Sequence, residues 1–311
     1  MMESAGIQRK ASALPERLGG TTGGETHGRV LKIANMNNDY DPLFVLQTGR
    51  EGVAPLFCIA GAGASASAFF ELAEKMPKHV PLFGLQSRGL DGASDPFASV
   101  EAAAHVYYDA VRDMWPGGPY RLLGHSFGGW AAFALAGLLR EAGSQVEALF
   151  LVDSEAPHDC ESVADQIGRV DALERLVDLY NLMLTSRLRL TREDFEKLDQ
   201  RAQILCLEQE MKQVGMLPRN APRGMLEGVV AVFEASLRTT YHGGDLFDGT
   251  VWLVNASEGT EKVEERVAGW RRNAVTVRSA TLPGNHLTML MGENAAHLAE
   301  WISGALESSS G

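Results

Sequence analysis

Ser126 stands in Gly124-His125-Ser126-Phe127-Gly128, a G-x-S-x-G spacing that can make a serine hydroxyl a nucleophile. The spacing works only where a strand turns sharply into a helix. The apolar run Tyr120–Leu123 before it and the Ala/Leu-rich segment Trp130–Arg140 after it meet that condition. So tight a turn needs small residues on either side of the serine, and Gly124 and Gly128 supply them. The geometry lifts the serine Oγ clear of the sheet edge. It also aims the first N–H groups of the new helix at the reaction centre, where an oxyanion would develop.

A serine hydroxyl is too weak an acid to attack unaided. It needs a base within hydrogen-bonding reach, and the base needs a carboxylate to hold its tautomer. In sheets with this elbow the chain order is Ser, then Asp or Glu, then His. His286 fits as base: it lies in the turn-rich stretch Leu282-Pro283-Gly284-Asn285-His286-Leu287, after the last strand-like run and before the final helix. The other histidines fit less well. His105 and His297 fall within helical segments. His125 flanks the nucleophile and cannot readily face it. His27 lies in the leader, His79 near a strand start, and His158 and His242 border an inserted segment. For the acid, Asp153 ends the run Leu149–Val152 and Glu258 follows the run Val251–Val254, and spacing leaves both open. The oxyanion needs two N–H donors. Phe127 offers one because it follows the nucleophile. Ala62 offers the other, from the small-residue loop Ala60–Ala64 that lets backbone approach a substrate.

The elements that must position these residues alternate along the chain. Leu56–Ala60, Pro81–Gln86, Tyr120–Leu123, Val146–Val152, Thr250–Asn255 and Val275–Leu282 read as strands. Ala66–Met76, the segment capped by Ser99 and running to Met114, and Asn294–Leu306 read as helices. Continuous apolar strands between helices predict a parallel sheet covered on both faces. Residues of about 160–245 interrupt this pattern with charged helical sequence. Thr191-Arg192-Glu193-Asp194 resembles a capping box there, and Val229, Val230, Val232, Phe233 and Leu237 mark a buried helix face. An insertion at this end of a sheet lies over the ligand site, so it is read as a helical lid. Residues 1–38, rich in Gly, Ser and Thr, are read as a flexible leader or linker, with one domain over 39–311.

The 311 residues carry 28 Lys and Arg against 40 Asp and Glu, a net charge of −12. That balance argues against bulk binding to nucleic acid or anionic membranes. No stretch is long and apolar enough to span a bilayer, and the N-terminus lacks the apolar core of a secretory signal. Cys58, Cys160 and Cys206 are few, odd in number and without metal-ligand spacing, which points to a reducing, cytoplasmic setting. Cys58 reads as a core residue. No H-E-x-x-H or similar metal signature occurs.

With these residues placed, the chain resembles the thioesterase domains of nonribosomal peptide and polyketide synthases, of the α/β-hydrolase superfamily. The likeness runs from about Pro55 to Met291. It rests on Leu56–Gly63, Phe83–Leu90, Gly118–Gly129, Leu151–Ser154 and Gly284–Leu290. The resemblance favours Asp153 over Glu258, because such domains usually carry the acid after the earlier strand. Family members often have proline in the oxyanion loop, where this chain reads Ala60-Gly61. The resemblance implies an α/β-hydrolase fold with a helical lid, and no cofactor of its own. It implies an acyl thioester delivered on the phosphopantetheine arm of an acyl or peptidyl carrier protein, then hydrolysis or ring closure from an acyl-Ser126 ester. A carboxylesterase or lipase acting on free esters, or a noncatalytic carrier-binding domain, are the alternatives. Arg187, Arg189, Arg192, Arg219 and Arg223 could form a local basic docking patch for an acidic carrier. Ordinary solvated charges are the favoured reading of these five.

Overall fold

The computed structural model describes residues 40–157, 167–259 and 262–309. The proposed leader, His27, His158 and Cys160 lie outside them. Every residue of Leu56–Ile59 (β2) and Leu82–Leu85 (β3) is buried, as strands covered on both faces must be. Around them run Leu43–Gln47 (β1), Tyr120–His125 (β4), Val146–Val152 (β5), Phe247–Ala256 (β6) and Ala274–Leu282 (β7). The described strands form one sheet in the order β1-β3-β2-β4-β5-β6-β7. All neighbours are parallel except the edge strand β1, which pairs antiparallel with β3. With the helices that cover it, this mostly parallel sheet is the expected α/β-hydrolase arrangement.

Successive side chains of a strand point to opposite faces, so each strand feeds two cores. Phe57 and Ile59 face one side, packed with Val100–Met114 (α2), Gly128–Glu141 (α3) and Trp270 of Val263–Arg271 (α8). Leu56 and Cys58 face the other, against Phe70–Lys75 (α1) and Gly292–Ser309 (α9). The Ser99 side chain accepts the Ala102 N–H and so caps α2 at the predicted place. The predicted helix over Ala66–Met76 divides into a 3₁₀ turn, Ala66–Phe69, and α1.

Between β5 and β6 lie Arg169–Asn181 (α4), Arg192–Glu196 (α5), Gln200–Gln213 (α6) and Glu227–Arg238 (α7). They bury a core of their own, including Leu173, Phe195, Leu207, Val230 and Phe233. Thr191 and Asp194 make the side-chain contacts of a capping box at α5. No described helix is long and apolar enough to cross a membrane.

Candidate active site

Strand register brings the site together. His125 of β4 pairs with Val152 of β5, and Val152 pairs with Val254 of β6. The next residues on β4 and β5, Ser126 and Asp153, therefore leave the sheet at one level. The ladder persists into both turns: Ser126 N–H donates to Val152 O at 2.9 Å and Asp153 N–H to Val254 O at 2.7 Å. Ser126 (φ 55°) and Asp153 (φ 46°) are the two described non-glycine residues with positive φ. A left-handed conformation in a residue with a Cβ is unfavourable, and such strain gathers where a side chain must be aimed. At the elbow an added Cβ on Gly124 would lie 2.3 Å from Gly128 O, and one on Gly128 2.3 Å from Ile59 O. Both obstacles are backbone, so glycine is required there.

His286 sits on the loop after β7, within reach of both. Its Nδ1–H donates to Asp153 Oδ2 at 2.6 Å, and Ser126 Oγ–H donates to Nε2 at 2.9 Å. The neutral tautomer that meets both partners carries its proton on Nδ1. Asn285 shapes this loop: its Oδ1 accepts from the Leu287 and Thr288 N–H groups, and its Nδ2–H donates to Leu182 O just beyond α4 at 2.8 Å. Glu258 lines the cleft, while the imidazole's carboxylate partner is Asp153.

Two residues that sequence reasoning did not assign support this relay. His125 is buried and its Nε2–H donates to the backbone carbonyl of His286 at 2.7 Å. It does not face the serine; it holds the loop that carries His286. Burial, aided by the nearby His286, pushes its pKa down to about 3, so it is neutral at pH 7. Arg266 of α8 forms an ion pair through Nη1 with Asp153 Oδ1, which also accepts the Ala256 N–H at 3.1 Å. Burial by itself would raise the Asp153 pKa. The His286 hydrogen bond, the Arg266 charge and the Ala256 N–H outweigh it and hold the carboxyl well below the usual range. A signal for His125 was present in its place beside Ser126. Arg266 had none, because α8 shows weak periodicity.

The Ala62 loop lies beside the elbow. An added Cβ on Gly61 would lie 3.1 Å from Ser126 Cβ. Among the described residues, neither the Phe127 nor the Ala62 N–H is used in a hydrogen bond. The loop is braced by α7: an added Cβ on Gly63 would meet Val229 O and Phe233 Cβ, each at 3.0 Å. A cleft of about 740 Å³ opens over Ser126 and His286, walled by Phe127 and Trp130 on one side and by Leu182, Leu237 and Thr239 of the inserted segment. Of the five arginines considered for docking, Arg192 is held by Asp171 and Glu174, and the others are exposed. Among the described residues no group of His, Cys, Asp and Glu is arranged to hold a metal ion. Cys58 is buried, which pushes its thiol up and keeps it protonated.

A family model described as the thioesterase domain matches residues 54–306. The chain belongs to the thioesterase domain family. Malpibaldin synthetase of Mortierella alpina is 37% identical over 125 residues, which are 40% of this chain and 2% of that protein. Microperfuranone synthase of Emericella nidulans is 25% identical over 276 residues, 86% of this chain and 29% of that protein. The thioesterase domain thus spans a small part of the curated relatives it matches. A four-domain nonribosomal peptide synthetase, solved with AMP and glycine bound, superposes with a TM-score of 0.71. That match covers 87% of this chain and 20% of the synthetase at 23% identity, and it shows a shared fold.

Proposed function

We propose that this domain is a serine thioesterase that releases an acyl, peptidyl or polyketide chain from the phosphopantetheine arm of an acyl or peptidyl carrier protein. One observation carries the reading: a Ser126–His286–Asp153 hydrogen-bonded relay, at the carboxyl end of a parallel sheet, in a chain of the thioesterase family.

Ser126 Oγ attacks the thioester carbonyl as His286 Nε2 takes its proton. The negative charge on the carbonyl oxygen rests on the Phe127 and Ala62 N–H groups. The intermediate then collapses, the carbon–sulfur bond breaks, and the imidazolium returns the proton to the departing pantetheine thiolate. This leaves an acyl-Ser126 ester. Water, or a hydroxyl or amine of the chain itself, attacks that ester with His286 again as base, giving a free acid or a ring. Asp153 stays ionised and holds Nδ1. The helices between β5 and β6 serve as the lid, deciding whether water or the chain's own end reaches the ester. The domain needs no cofactor of its own, and it acts in the cytoplasm, where Cys58 and Cys206 remain thiols.

The test is intact-protein mass spectrometry after incubation with acyl-pantetheine thioesters. A mass increase equal to the acyl group, located on Ser126 and absent in Ser126→Ala, is the expected result. Turnover of small aryl esters with no acylation by any thioester would favour the esterase alternative. A folded protein whose Ser126 resists a fluorophosphonate would favour a noncatalytic domain.

A further inference from the structure

We propose that Arg266 is a positioning residue for this chemistry, and that Glu155 sets how much of its charge the Asp153–His286 pair feels. The inference rests on Ser126 being the nucleophile. Arg266 is 10% exposed and its guanidinium is shared among three partners. Nη1 pairs with Asp153 Oδ1, the oxygen turned away from the imidazole, and reaches Asn255 Oδ1 at 3.2 Å. Nε and Nη2 donate to Glu155 Oε1 at 2.9 and 2.5 Å. Asp153 is only 4% exposed, whereas Glu155 is 62% exposed.

The fork does two things. Held at Nε and Nη2 by Glu155, it brings Nη1 to Asp153 Oδ1, which with the Ala256 N–H anchors that oxygen and leaves Oδ2 to His286. It also places a positive charge one carboxylate away from an imidazole that must become positive during each attack. A cation there opposes the imidazolium, whereas the paired Glu155 offsets that cation. Among the described residues, the other charged or titratable groups near the pair are few. His125 from β4 is neutral, and Glu258 is exposed on the cleft wall. At the start of α8, Lys262, the residue before it, and Glu265 pair with each other at 3.2 Å and are largely exposed. Among the described residues, Arg266 is the arginine paired with the carboxylate of the relay.

The two residues consequently predict shifts of opposite sign. The experiment follows the rate of Ser126 labelling by an alkyl fluorophosphonate against pH. This reaction forms a serine oxygen–phosphorus bond, expels fluoride and needs the same base. Its acidic limb reports protonation of the free enzyme's relay. In Arg266→Met the limb moves to higher pH by about one unit, with a lower plateau rate. Arg266→Lys keeps the charge but not the fork, so its limb stays near wild type while its plateau falls. In Glu155→Gln the limb moves to lower pH, by a few tenths of a unit because Glu155 is solvent-screened.

A folded Arg266→Met whose limb does not move overturns the inference, as does a Glu155→Gln shift in the same direction as Arg266→Met. If Arg266→Met does not fold, the lysine and Glu155 variants decide. Failure of wild-type Ser126 to label at any pH is a separate result, and it overturns the serine reading itself.

Discussion

His125→Gln should reverse its effect on stability between neutral and mildly acidic pH. The imidazole is buried, and its Nε2–H holds the His286 carbonyl at 2.7 Å. A glutamine amide can place an N–H near the same point but does not titrate in this range. At pH 7.5 the variant loses packing while keeping a donor, a deficit of about 1 kcal/mol. In the wild type the folded pKa of about 3 lies below the ordinary value of 6.5. Between those values the unfolded chain binds a proton that the folded chain refuses, so wild-type stability falls as pH falls. At pH 4.5 this amounts to roughly 2–3 kcal/mol, taking about 1.4 kcal/mol per unit. The glutamine variant escapes the loss and should be the more stable protein there, by about 1–2 kcal/mol. Urea unfolding at pH 7.5 and 4.5, on both proteins, measures the difference. If the gap between them is the same at both values, within about 0.5 kcal/mol, His125 is not held neutral by burial and the reasoning fails.

Asp153→Asn should lower kcat/KM by about 10³–10⁴ through loss of the correct imidazole tautomer, measured with an acyl-N-acetylcysteamine thioester. It should also destabilise the fold, because Arg266 loses its most buried anion. The Asp153 pKa is depressed on folding, so the carboxylate's contribution is present above about pH 4 and fades below it. The melting-temperature gap between variant and wild type should close in acid accordingly. Gly63→Ala should cost about 1–2 kcal/mol, since Gly63 has φ +65° and abuts α7. Because the strain falls next to Ala62, kcat should drop more than KM rises in the same thioester assay.

Much of the site is legible in the chain because its signals are local. Ser126 is marked by the glycines that so sharp a turn demands within two residues on either side. The loop Pro283-Gly284-Asn285 announces itself by turn chemistry ahead of His286. Strands β2 and β3 are short apolar runs, since both their faces are covered. β4 as far as Leu123 and β5 are apolar but for Arg121 and Glu147, which pair with each other, and Ser99 marks the start of α2 by its own capping bond. β1 does not read as a strand although Leu43-Phe44-Val45-Leu46 is apolar: so short a run has no period that tells strand from helix, and none of its residues at this edge of the sheet is fully buried.

The amino-acid sequence by itself determined the elbow, the order of Ser126, Asp153 and His286 along the chain and the two-sided parallel sheet, because turn sterics, capping and periodicity act within a few residues. Residue spacing left two carboxylates open and only a family resemblance favoured Asp153; tertiary structure shows that Asp153 meets the imidazole, and shows what balances that carboxylate and what holds the His286 loop in place. Asp153 and His286 are 133 residues apart, Asp153 and Arg266 113, and His125 and His286 161. Charge and hydrogen bonding act through space. No local pattern records a partner so far along the chain; only the register of β4, β5 and β6 and the packing of α8 bring these groups within bonding distance.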